Sequence, residues 1–383
     1  MESMLSNNAA VGASIFDRMV RPEVGHLPNY NAGLSIDHVR NKYHVERVAK
    51  LGSNENPLGA SLAVDAAIRH ASGAIALYPD SACSALRSVL AAQLDVAPEN
   101  FVFGNGSEDL IAIVTRTLLS AGDEVVTMIP SFGLHITYPE SMGALVHAVP
   151  LTPEYAMDVD ALIAALNDKT KMLIISNPSN PVGVTMPLAD MRRLFGAVSP
   201  DTLIVWDEAY YEYAAADPDY PDSLAELNAS QRPYLLLRTF SKAYSLAGLR
   251  IGYGVSSDPA LVDYMGRIRT PFNVNHLAQH AAIAALSDPA HLQAGVQHVV
   301  AERARMRAAL KAMGYQPALS AANFLFFDTR RDASKVAEHL LARGVIVKPW
   351  REKSYTGCIR VSIGSKDDND LFLEVLTQLG NVA

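Results

Sequence analysis

RTFSKAYSLAGLRIGYG, residues 238–254, is the stretch on which the reading of this chain turns. The apolar run Tyr234–Leu237 before it has the texture of a buried strand. The chain then becomes polar at once and sets down one lysine, Lys242, before an apolar pattern resumes and brings in Arg250. Desolvating an ammonium group costs several kcal/mol. A lysine in such a place is ordinarily a surface-loop residue. The alternative is that a ligand for its amine lies beyond the strand.

Runs of the same kind precede it. EVVTMIP, KMLIISNP, TLIVWDEAY and YLLLRTFSK carry apolar residues on both faces, as strands covered on two sides do. NFVFGNG leads into SEDLIAIVTRTLLSAG, whose apolar residues recur at helical spacing up to Gly122. This alternation of β and α patterns from Val64 onward predicts an α/β fold with a mostly parallel, doubly wound central sheet. After Asn275 long Ala-rich helical patterns run to Met313, followed by NFLFFDT, GVIVKPW, CIRVSIG and a closing helix. That texture predicts a second, smaller α+β domain. The expected organisation is an irregular N-terminal arm over 1–35, the start of the small domain over 36–60, a large ligand-binding domain over 61–274 and a small C-terminal domain over 275–383.

Composition narrows the function classes. The chain has 383 residues, is 49% hydrophobic and carries a formal net charge of −8, so nothing in it attracts a polyanion, and nucleic acid is not expected as a partner. The densest basic run, ERARMRAALKAMG from Glu302, reads as the solvated face of a helix. Two cysteines, Cys83 and Cys358, stand too far apart for a zinc ribbon and are too few for a disulfide framework. No secretory leader or membrane-length apolar stretch is visible, which predicts a soluble cytoplasmic protein. His276 and His280 have the spacing of zinc ligands on a helix but lack a third partner, and no metal is expected.

Four predicted strands end in polar clusters: GNGSED, SNPSNPVG, WDEAY and RTFSK. In open parallel sheets ligands bind beyond the carboxyl ends of the strands, so four such ends describe a site. Gly104–Ser107 opens a helix whose free N–H groups suit a phosphate, although Ser107 taken alone reads as an N-cap. Glu108 and Asp109 would repel an anion unless they point away. Neither a Gly-x-Gly-x-x-Gly fingerprint nor a P-loop is present, so nucleotide readings lose their support. Asp207, directly after LIVW, needs a cationic or hydrogen-bonding partner. That partner is a helix N-terminus, an arginine or a ligand, and Tyr210 lies within reach of the same place. Asn180 sits in a Pro-rich turn that is either structural or part of the site. A lysine, an aspartate, a phosphate cradle and a distant arginine together suit an aldehyde-bearing phosphorylated pyridine. The lysine supplies a nucleophilic amine for a Schiff base, and the aspartate keeps the pyridine nitrogen protonated so that the ring draws electrons.

At this point the chain resembles the fold-type I pyridoxal-phosphate aminotransferases, and within them the histidinol-phosphate aminotransferases. The motifs that carry the resemblance are LGSNENPLGAS, YPD, GNGSEDLI, SNPSNPVG, DEAYYEY, RTFSKAYSLAGLRIGYG, PFNVN and NFLFF, between Arg21 and Gly364. The resemblance implies a large domain with a mostly parallel sheet beside a smaller α+β domain, pyridoxal 5'-phosphate as cofactor, and 2-oxoglutarate as amino acceptor. It implies that Lys242 is the Schiff-base lysine and the proton carrier. Asp207 then pairs with the pyridine nitrogen, Tyr210 and Asn180 flank the 3′-oxygen, and the Asn180–Pro181 bond is cis. Phe132 stacks on the ring. The phosphate rests on Gly106, Ser107, Glu108, Thr239, Ser241 and Arg250, with Tyr78 reaching in from a second subunit. Arg360 takes a substrate carboxylate, and Tyr30 lies on an arm that crosses a homodimer toward the partner's substrate site.

Two departures stand out. Asn180–Gly183 reads Asn-Pro-Val-Gly, where the family usually has Asn-Pro-Thr-Gly. Lys348 occupies a position where histidinol-phosphate enzymes commonly carry an arginine for the substrate phosphate, and it keeps the charge without the bidentate fork. With Trp350 close by, an aromatic amino acid aminotransferase is the alternative substrate reading. A decarboxylase or lyase on the same fold is another alternative, and a non-catalytic regulator is a more distant one.

Overall fold

The computed structural model describes residues 14–380. The first thirteen residues of the expected arm and the last three of the chain lie outside the described residues. The expected fold class is the observed one. Strand β1 (Ala49–Lys50) comes first, and a seven-stranded sheet then forms from β2 (Phe101–Gly104), β3 (Glu124–Ile129), β4 (Leu145–Pro150), β5 (Thr170–Ser176), β6 (Leu203–Asp207), β7 (Tyr234–Thr239) and β8 (Gly252–Ser256). Its order is β2-β8-β7-β6-β5-β3-β4, and only β8 runs against the rest.

The central strands are continuously buried from Met172 to Ser176 and from Leu203 to Asp207. That burial is why they read as continuous apolar runs rather than alternating ones. Strand β4 is the exception. It is an edge strand with exposed and half-buried positions, and its run Leu145–Val149, broken by His147, was not among the expected strands.

A second sheet has the order β11-β12-β9, from β9 (Phe324–Asp328), β11 (Lys348–Pro349) and β12 (Cys358–Ser362), and β10 (Val345–Ile346) pairs in parallel with β1. Residues 49–50 are thereby tied to the C-terminal part of the chain, and Leu51 packs in one core with Phe324, Val361 and Phe372.

Helix α1 (Ser107–Leu118) ends earlier than Gly122, because Leu119 is already extended. The helix His276–Leu286 follows the expected boundary at 274/275 and packs on the large sheet's side. Its Ala278, Ala281, Ala282 and Ala285 lie in the same core as Val64, Cys83 and Leu86. Its small side chains let it lie close against the helix Leu62–Ala71. The core of the smaller body is entered by the next helix, Pro289–Ala312, through Val296, Val299, Met306 and Leu310.

That helix also corrects the reading of the basic run. Glu302 is buried, accepting from Arg305 and from Asn369 Nδ2, and Arg303 Nη1 donates to the Ala322 carbonyl. The charges of this run serve packing as well as solvent.

Candidate active site

Because β2, β5, β6 and β7 run the same way, their polar ends meet along one edge of the sheet and line a cleft with residues of β11 and β12. A fifth strand end joins them, since the turn after β3 contributes Ser131 and Phe132.

The phosphate-like cradle forms between β2, β7 and β8. Gly106, not Ser107, is the N-cap of α1, at φ +86°, and Ser107 is the first helical residue. Gly106 is constrained twice over. Its φ lies in the left-handed half that glycine favours, and a Cβ there would stand 2.6 Å from Arg250 Nη2. A Cβ on Gly252 would meet the Ser107 nitrogen at 2.4 Å, so β8 approaches the helix start only because it lacks a side chain there.

Thr239 Oγ1 lies 3.0 Å from Ser241 Oγ, and Arg250 Nη1 donates to Ser241 at 3.3 Å. The first-turn acids are occupied elsewhere. Asp109 accepts from the Asn105 N–H and from Asn273. Glu108 accepts from the Tyr138 hydroxyl and lies 3.6 Å from Arg250. Helix N–H groups, two hydroxyls and a guanidinium thus face one place, with Asp109 turned aside and Glu108 held by Tyr138 beside Arg250, which suits a phosphate dianion.

Lys242 and Asp207 both line this cleft. Burial pushes the Lys242 ammonium down to about 8, with Arg360 adding repulsion. A useful fraction of the amine is therefore neutral near neutral pH. Asp207 is buried, and neither a helix terminus nor an arginine holds it. His135 Nε2 sits 3.1 Å from its Oδ2, and the Ala209 N–H donates to Oδ1. His135 is itself fully buried, with Nδ1 3.2 Å from Ser131 Oγ.

Sequence reasoning missed this pair. The signal was the i, i+4 spacing of Ser131 and His135 in PSFGLH, a pattern too common to single out. Phe132 faces His135 edge-on at 5.5 Å and Tyr30 at 6.4 Å. Tyr210 is buried beside Phe324, with Lys242 Nζ 5.8 Å from its ring centre, and burial pushes its hydroxyl up to about 12. The Asn180–Pro181 bond is cis.

Arg360, on β12, is buried, and burial holds its pKa below the ordinary arginine range. Its Nη1 donates to Asn180 Oδ1 and its Nη2 to the Gly52 carbonyl, each at 2.8 Å. Its Nε has no partner among the described residues. A buried donor left open is costly, and an acceptor arriving in the cleft would satisfy it.

Lys348 pairs across the strands with Arg360 and donates to the Asn31 carbonyl at 2.9 Å. Burial first, then Arg360, pushes it down to about 8. That bond holds segment 28–33 over the cleft of the same chain, and with it Tyr30. Tyr30, expected to reach a partner's site, lines the cleft of its own chain here. Tyr78 is an expected site residue whose side chain the fold does not bring into this cleft. It is 82% exposed and stacks on Phe272 at 4.5 Å.

Behind Asp207 lies a buried ion pair that sequence reading did not single out. Arg238 Nη2 is 2.8 Å from Glu208 Oε2, and the Tyr220 hydroxyl is 3.1 Å from Glu208 Oε1 and 2.8 Å from the Asn177 carbonyl. His276 and His280 touch each other ring to ring at 4.5 Å. Among the described residues no group of three or more His, Cys, Asp or Glu could hold a metal, and no helix is long and apolar enough to cross a membrane.

Residues 46–376 match the family model described as aminotransferase class I and II. This chain belongs to that family. Histidinol-phosphate aminotransferase 3 of Rhizobium meliloti (strain 1021) is 50% identical over 366 residues, covering 96% of this chain and 99% of that protein. Histidinol-phosphate aminotransferase 1 of Mesorhizobium japonicum is 47% identical over 361 residues, 94% of this chain and 98% of that one. The crystal structure of histidinol-phosphate aminotransferase from Sinorhizobium meliloti in complex with pyridoxal-5'-phosphate superimposes with a TM-score of 0.84 at 29% identity, covering 94% of this chain and 98% of that one. Aspartate aminotransferase from Thermus thermophilus shares the fold, at a TM-score of 0.82 and 22% identity.

Proposed function

We propose that this aminotransferase uses pyridoxal 5'-phosphate to move the amino group of histidinol phosphate to 2-oxoglutarate by alternating half-reactions, in histidine biosynthesis. The observation that carries the chemistry is the convergence of a lysine of depressed pKa, a buried aspartate and an anion cradle on one cleft. The substrate reading rests on the full-length likeness to two histidinol-phosphate aminotransferases.

Bound pyridoxal phosphate would supply an aldehyde carbon that accepts an amino group and a ring that stabilises charge at the substrate's α-carbon. The chain's own residues do the rest. Ser107, Thr239, Ser241 and Arg250 hold the phosphate, with Gly106 giving it room and Glu108 anchoring Arg250. Asp207, steadied by His135, holds the ring nitrogen. Tyr210 and Asn180 hold the 3′-oxygen, and Phe132 covers a ring face. Lys242 would hold the cofactor through its amine, and when free that amine would carry the proton from and back to the substrate. Arg360 binds the carboxylate of 2-oxoglutarate with its open Nε as one donor, while Lys348 and Tyr30 meet the distal end of the substrate.

The exposed Tyr78 suits a contribution to a second subunit's site, with a homodimer as the active form, and we place the enzyme in the cytoplasm. Trp350 beside Lys348 favours a second reading as an aromatic amino acid aminotransferase. Titrating the purified holoenzyme with histidinol phosphate and with phenylalanine, while following the bound cofactor's absorbance, separates the two. Conversion at far lower histidinol phosphate concentration is expected. Equal or better conversion by phenylalanine selects the aromatic reading.

A further inference from the structure

Asn54 lies in the left-handed backbone region at φ 54°, and it is 1% exposed. Each of its polar groups is committed. Its N–H donates to Ser362 Oγ at 2.8 Å, and its carbonyl accepts from Asn323 Nδ2 at 2.9 Å. Ser362 gives its hydroxyl proton to Asn54 Oδ1 at 2.7 Å. That leaves Nδ2 to donate to the Tyr210 hydroxyl oxygen at 3.0 Å. The orientation of the amide follows from this arrangement. Ser362 has one proton and its oxygen already accepts the Asn54 N–H, so the proton goes to Oδ1 and the NH₂ faces the phenol.

A phenol oxygen that accepts from Asn54 keeps its own proton for another acceptor. Tyr210, like Asn54, lines the cleft that holds Lys242, Asp207 and Asn180. We propose that Asn54 is a positioning residue that turns the Tyr210 hydroxyl proton into the cleft and so makes Tyr210 a donor to the cofactor's 3′-oxygen. The proposal rests on the cofactor reading given above and deepens it.

It also assigns a purpose to the docking of the smaller body on the chain that follows β6. Ser362 and Asn323 belong to the smaller body, whereas Tyr210 follows β6 of the large sheet. The hydroxyl is directed only while these parts are docked as they are here. A buried, fully satisfied network of this kind holds one arrangement because every alternative leaves a polar group unpaired.

The test is a double-mutant cycle with Asn54→Gly and Tyr210→Phe. Glycine keeps the left-handed backbone without strain and deletes only the amide. Three quantities are read on the holoenzyme and its apoprotein: cofactor dissociation constant, pH midpoint of the bound chromophore, and melting temperature of the apoprotein. Asn54→Gly is expected to weaken cofactor binding by up to about tenfold, the worth of one buried hydrogen bond. It should also move the pH midpoint in the same direction as Tyr210→Phe. In the Tyr210→Phe background the same change should leave the midpoint where it is and cost less than about twofold.

An unmoved midpoint, or an equal cost in both backgrounds, overturns the proposal and leaves Asn54 a backbone support. If Tyr210→Phe alone changes neither affinity nor midpoint, the placement of Tyr210 at the 3′-oxygen fails, and the proposal fails with it. Ser362→Ala, which frees the amide to rotate, replaces Asn54→Gly in the cycle if that variant does not fold.

Discussion

Lys242 is where a single residue's chemistry and its cost are clearest. The unfolded chain keeps this lysine protonated to about its ordinary 10.5, and the folded apoprotein only to about 8. Between these values unfolding takes up a proton, so stability rises with pH across that window. Below it the folded state carries the full desolvation cost. Lys242→Met should therefore abolish turnover and yet stabilise the apoprotein at pH 7 by about 2 kcal/mol, discounted for the solvent that still reaches the amine. The gain should shrink from pH 8 upward. Thermal melts of both apoproteins across pH check it, and a destabilised variant would mean that the amine is not desolvated.

Lys348 makes the second prediction at this scale. Its charge in the free enzyme is lost above about pH 8, so the kcat/KM ratio of histidinol phosphate to phenylalanine should fall as pH passes that value. Taking the ratio cancels the titration of groups common to both substrates. Lys348→Ala should lower histidinol phosphate turnover far more than phenylalanine turnover, and equal losses would show that Lys348 does not meet the phosphate.

At the scale of elements, the site depends on strand ends being held in register. Asp207 pairs with Leu237 across β6 and β7, and the next residues, Glu208 and Arg238, form the buried ion pair. Tyr220 ties that pair to Asn177 at the end of β5, three residues before Asn180. Breaking one half leaves a charge buried without its partner. Glu208→Gln should cost about 3 kcal/mol, whereas Glu208→Leu with Arg238→Met should recover most of it. Chemical denaturation of the three variants decides this, and an additive double variant would mean that the pair is not coupled. The polar ends of four strands were visible in the sequence because each directly follows an apolar run. This ion pair was not, because Glu208 and Arg238 each look like ordinary loop charges until the register sets them side by side.

At the scale of the whole molecule, Leu62, Ile75, Leu77 and Tyr78 are all more than two-thirds exposed, an apolar surface that suits a second copy of the chain. If Tyr78 completes the partner's site, Tyr78→Ala and Lys242→Ala dimers are each impaired. Mixing and reassociating them should then restore about a quarter of wild-type activity, because half the dimers are hybrids with one intact site. No recovery would place Tyr78's role within its own chain.

Much at this scale was legible in sequence order. Apolar runs alternating with helical spacing determine an α/β sheet, since each strand must be covered on both faces. The polar residue that follows each run then lies on one edge whatever the details of packing. Lys242, Asp207, Asn180 and Ser107 follow from that rule.

What only the tertiary structure decided is which groups meet across long separations: His135 with Asp207, Asn54 with Tyr210, Lys348 with Asn31, and the helix His276–Leu286 with the large core. Sequence periodicity reports which way a side chain faces along its own element. A partner brought up from another element leaves no period, so hydrogen bonds that orient a catalytic group become visible only once the chain has closed on itself.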